Sequence, residues 1–94
     1  MLPEHRQTVS DKLPIDCNFS PSFVEGDPIN SVSFEAPAPI AEYQSLRIVS
    51  GQTVQVRVDT TGGTVGNVYL IKVHATTLGG DVGTISFNVH IKKD

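Results

Sequence analysis

From Leu13 onward, apolar residues recur in short runs with a period of two, and Gly, Pro or Asp signals interrupt them about every ten residues. Side chains on a strand alternate between its two faces, so such runs read as half-buried β-strands. No stretch shows the 3.6-residue spacing of an amphipathic helix. About seven short strands in one chain of 94 residues predict an all-β domain: an immunoglobulin-like sandwich of short antiparallel strands, with a small barrel as the alternative.

Individual runs can be assigned. Leu13–Phe19 places Ile15, Cys17 and Phe19 on one face, and Pro14, which has no amide proton to give, marks an edge strand. Gly26-Asp27-Pro28 then punctuates a turn. Along Ile29–Phe34, the residues Asn30, Val32 and Phe34 share one side, while Ile29, Ser31 and Ser33 share the other. Residues 35–45 hold two prolines, which disfavour helix just before them, so an extended surface connection is expected. Leu46–Val49 reads as a short strand, Ser50-Gly51-Gln52 as a turn, and Thr53–Val58 as a strand with Val54, Val56 and Val58 inward.

The last two runs, Asn67–Thr77 and Val82–Lys92, form a hairpin whose register follows from parity. An even loop at Gly79-Gly80 would set Val73 opposite Ser86 and mix buried with solvated faces. An odd loop, such as three residues with a glycine at positive φ, sets Val73 opposite Ile85 or Phe87. The odd loop is therefore expected. Residues 1–12 are polar and aperiodic, and read as an arm that is loose unless a partner holds it; residues 13–94 form the domain.

Composition excludes several kinds of chemistry. Seven Lys/Arg scattered singly, against a net charge of −3, give no basic patch for nucleic acid. The opening MLPEHRQTVS lacks the apolar stretch of a secretory signal, and no run reaches the roughly 20 apolar residues of a membrane helix. A lone cysteine, Cys17, gives no disulfide framework and fits folding in a reducing compartment. Its parity with Ile15 and Phe19 makes it a core residue rather than a nucleophile.

His74 and His90 fall on polar strand faces and His5 in the arm, none at ligand spacing from a cysteine or carboxylate. Glu25 and Asp27 flank a glycine in one turn, too few oxygen donors for a calcium loop, and Asp59 stands alone. The stretches Gly62-Gly63-Thr64-Val65-Gly66 and Gly79-Gly80-Asp81 precede no helix and end in no Gly-Lys-Ser/Thr. They read as hairpin glycines at positive φ, not as phosphate cradles. No catalytic, cofactor-binding or metal residue is therefore assigned, and no cofactor is expected. The chain is expected not to be an enzyme. Tyr43 and Phe23 are the candidates for an exposed aromatic cluster, which a carbohydrate- or receptor-binding module would need.

Four features in fixed order carry a resemblance: Gly26-Asp27-Pro28-Ile29-Asn30-Ser31, Gly62-Gly63-Thr64-Val65-Gly66-Asn67-Val68-Tyr69, Thr76-Thr77-Leu78-Gly79-Gly80, and a last strand ending Val89-His90-Ile91-Lys92-Lys93. Together they resemble the small immunoglobulin-like virion proteins of tailed bacteriophages known as fiber–tail adaptors. The resemblance covers about Leu13 to the C-terminus. It implies a non-enzymatic structural protein of the virion tail, present in several copies and assembled in the host cytoplasm. Its implied partners are tail, connector or fiber subunits, with neither nucleic acid nor membrane among them. An adhesion or capsid-decoration module is the alternative.

Overall fold

A computed structural model describes residues 3–43 and 48–93. Eight strand segments occur among them: β1 Glu4–Gln7, β2 Pro14–Asn18, β3 Ile29–Glu35, β4 Ala41–Glu42, β5 Ile48–Ser50, β6 Thr53–Asp59, β7 Val68–Thr77 and β8 Val82–Ile91. The single helical element among the described residues is a 3-10 turn, Ser20–Ser22. One sheet runs β1-β8-β7-β3 and the other β2-β6-β4, with β5 also on β6. The sequence expectation of an all-β sandwich holds. Of the strand expected at Leu46–Val49, Leu46 and Arg47 lie outside the described residues, and Ile48 and Val49 fall in β5.

The inner faces follow from alternation. Val54, Val56 and Val58 of β6 are fully buried and meet Ile71, Val73 and Ala75 of β7 and Phe87, Val89 and Ile91 of β8 in one cluster. β-Branched residues dominate this core because their restricted side chains suit a pleated, half-buried surface. Cys17 and Phe19 join from the β2 side, and Phe19 stacks on Phe23 with ring centroids 5.7 Å apart. Pro14 does open an edge strand, since among the described residues β2 pairs with β6 alone.

The hairpin register is the odd one: Ile71 lies opposite Phe87 and Val73 opposite Ile85. Thr77 N donates to Asp81 O at 2.8 Å, which leaves Leu78-Gly79-Gly80 as a three-residue loop. Gly80 sits at φ +97°, a backbone conformation that disfavours a side chain.

Several expectations need correction. Residues 1–12 are not a loose arm throughout, because Glu4–Gln7 pairs in parallel with Asn88–Ile91. The sandwich is thus not wholly antiparallel. What holds this strand is Gln7, fully buried, whose Nε2 lies 2.9–3.1 Å from Asp11 O, Val58 O and Thr60 Oγ1. A polar residue pulled this far inward needs such partners, since an unpaired buried amide is costly.

In β3 the register shifts between Ile29 and Ser31, so Asn30 is the extra, exposed residue of a bulge. Ile29, Val32 and Phe34 consequently pack together against the core, not on opposite sides. The connection after β3 is not wholly superficial either. Ile40 is buried, held by a turn from Pro37 O to Ile40 N, and Ala41–Glu42 pairs with β6.

The Gly62–Gly66 segment is likewise no hairpin loop; it carries the chain from β6 in one sheet to β7 in the other. Gly63 suits this close approach, because a Cβ on it would collide with Ile91 Cδ1 and lie 3.1 Å from both Ile40 Cδ1 and the backbone Thr60 O.

Candidate docking surface

The side chains singled out for chemistry are dispersed and tied to local structure. His74 shares hydrogen bonds with Thr84 Oγ1 (2.8 Å) and Glu35 Oε1 (3.2 Å) on the outer face of one sheet. His90 lies 3.6 Å from Glu4, and His5 meets Gln7 Oε1 at 3.0 Å. Strand pairing thus gives both strand histidines a carboxylate neighbour that sequence spacing did not reveal. Among the described residues, no three His, Cys, Asp or Glu side chains gather as a metal group.

Asp27 spends its carboxylate on the hairpin tip, accepting from Gly79 N at 3.1 Å. Asp59 accepts from Thr61 N at 3.0 Å and lies 3.6 Å from Lys12; these contacts hold its carboxyl below the usual range. The aromatic candidates do not form an exposed cluster. Phe23 is buried, and Lys12 Nζ lies 5.6 Å from the centroid of the Tyr43 ring.

Cys17 is buried opposite Val54, and burial, helped by the charge of Asp16, pushes its thiol up to about 11. A buried neutral thiol is a poor nucleophile. The native protein is therefore expected to leave Cys17 unmodified by an aromatic disulfide reagent at pH 8, and to titrate fully once unfolded in urea. The same raised value fixes a sign. Between the ordinary thiol value of 9.0 and about 11, the folded state holds a proton that the unfolded state has lost. Stability therefore falls as pH rises through that window.

The surface offers ends and edges instead. At one end the loops 19–28, 51–52 and 77–82 come together, linked by Leu78 N to Pro28 O and by Gln52 Nε2 to Val24 O and Asp27 O. Val24, Leu78 and Val82, at 68–69% exposure the most exposed large apolar residues described, all lie there. Glu25, Asp27 and Asp81 accompany them, and these loops contain no Lys or Arg. Lys12, Lys92 and Lys93 lie toward the opposite end, around the exit of β8 and the loop before β2.

The edges are uneven because β7 and β8 are ten residues long while β1 has four and β3 seven. On the β3 side, pairing stops at Glu35 opposite Lys72, so Val68–Ile71 projects beyond it. A cleft of about 290 Å³ opens at this step, lined by Glu35, Ala36, Pro37, Leu70 and Lys72. Relative strand length was the missing signal: it depends on where neighbours stop, which no single run records.

Fold and surface together define a small β-sandwich with an exposed apolar end and a projecting strand edge. The family described as podophage GP4 fiber-tail adaptor protein gp77 matches over residues 7–90, and the chain belongs to that family. It is a phage structural protein that serves as a fiber–tail adaptor in the tail of the virion. Comparison with curated proteins finds no match.

Proposed function

We propose that the chain works without catalysis of its own, in several copies per particle, holding fiber subunits against tail or connector subunits through the two unlike ends of its sandwich. The observation that carries this reading is the apolar end formed by Val24, Leu78 and Val82. Large apolar side chains left this exposed together are characteristic of interaction sites. An adaptor must meet two different partners, and one apolar, acidic end opposed to one lysine-bearing end suits that task. The strand partition, with β3, β7 and β8 in one sheet and β2, β4 and β6 in the other, supports an immunoglobulin-like reading of the sandwich. Such sandwiches gather their loops at two ends. The docking unit is residues 13–94 together with β1, and a single buried thiol suits assembly in the reducing host cytoplasm.

Phage carrying a nonsense mutation in this gene should yield tails without fibers. Adding the purified wild-type protein, but not a Leu78→Asp, Val82→Asp double variant, should restore fibers in negative-stain images. Fully fibered particles made in the absence of the protein would sink the proposal.

A further inference from the structure

The step at the edge of β7 specifies a partner more narrowly than the apolar end does. Backbone direction alternates along a strand as side chains do. Asn67 O accepts from Ile91 N and Thr77 N donates to Asp81 O, so the odd-numbered residues of β7 face β8. Lys72, His74 and Thr76 therefore face β3, where they pair with Glu35, Ser33 and Ser31. By the same alternation, the N–H and C=O groups of Val68 and Leu70 point along this edge beyond the end of β3, and no described strand pairs with them there.

The protein's own chain leaves this slot. After Glu35 it turns away through Pro37, which has no amide proton to donate, toward the turn at Ile40. Val68 and Leu70 keep exposed side chains on the outer face, 52% and 41% accessible. At the mouth of the cleft, Glu35 is engaged by His74 at 3.2 Å. Lys72 has no carboxylate partner among the described residues, so its charge stands ready for an incoming one.

Resting on the adaptor reading above, we propose that the Val68–Ile71 edge receives an extended segment of a neighbouring virion protein, added as a strand in line with β3. Unpaired backbone groups select an extended polypeptide. Continuity with β3 sets its line. Apolar side chains at alternate positions of that segment would lie beside Val68 and Leu70, and a neighbouring Asp or Glu would meet Lys72.

The test uses tails from the nonsense-mutant phage, reconstituted with the purified full chain. Hydrogen exchange is read at Val68 and Leu70 in the free protein and in the particle. Leu70→Lys places a charge on the outer face of the edge without touching the core, and an unchanged urea midpoint would establish that the variant folds. The inference expects both amides to slow by about a hundredfold on incorporation, and Leu70→Lys to lower incorporation at least about tenfold, as loss of a central contact does. Wild-type protein that enters particles with both amides still fast, or Leu70→Lys that enters as well as wild type, overturns the edge inference and leaves the adaptor reading intact. A wild-type dimer of the free protein that Leu70→Lys abolishes also overturns it, by assigning the edge to a second copy. Wild-type protein that never enters particles removes both readings.

Discussion

Phe19→Ala is expected to destabilise the protein by about 3–5 kcal/mol, the range for emptying a buried aromatic site. Total stability for a chain of this length is roughly 5–14 kcal/mol, so this one change removes a large share of it. Phe19 is 1% exposed, the largest of the fully buried side chains, and its ring lies within 7° of parallel to that of Phe23. Its backbone is pinned as well, since its N–H donates to Gln52 O at 2.9 Å and its carbonyl accepts from Ser22 N. With its own backbone held at both groups, the truncated residue cannot shift inward to fill the gap left beside the Phe23 ring. A urea titration followed by circular dichroism measures it directly. A loss below about 1 kcal/mol would mean that the site collapses and that Phe19 is not the plug described here.

Gln7→Ala should cost about 2–4 kcal/mol, combining unsatisfied groups with a small void. The Gln7 amide nitrogen serves Val58 O, Thr60 Oγ1 and Asp11 O from a fully buried position, and its carbonyl oxygen meets His5. Removing it strands acceptors in both the β6 exit and the loop before β2. Gln7→Leu separates the two contributions, because it retains most of the volume and none of the polarity. Both variants should also expose residues near the N-terminus to protease before the core unfolds. Equal resistance in wild type and Gln7→Ala would show that β1 is held by its ladder bonds alone.

Much of the framework could be read from residue order because alternation is a local signal. Val54, Val56 and Val58 declare their own face, and the parity of Val73 against Ile85 determines the hairpin register without reference to any other strand. Features that depend on distant partners could not be read this way. Gln7 looks like a surface residue until the carbonyls that satisfy it are in place. A clue was present in Glu4-His5-Arg6-Gln7, where charged and uncharged side chains alternate with the strand period. Ile40 lies among prolines that suggest solvent, yet its side chain is drawn into the core beside Gly63. The bulge at Asn30 moves Ile29 to the face of Val32, which strict alternation forbids.

The docking features divide along the same line. Leu78 and Val82 sit on either side of a recognisable hairpin tip, so their exposure follows from the loop. The projecting edge at Val68–Ile71 results from β3 stopping early, a difference between two strands far apart in sequence.

The parallel pairing of β1 with β8 also determines how the domain responds to mechanical tension. Asn88 N to Pro3 O and Lys92 N to Gln7 O, each 2.9 Å, bracket this ladder. A pull entering at residue 3 and leaving at residue 92 runs along both strands in opposite senses. The ladder is then loaded in shear, its hydrogen bonds straining together instead of peeling open one after another. Pulled between residues 3 and 92, the domain would therefore behave as a stiff link that holds its length until this ladder gives way as a whole.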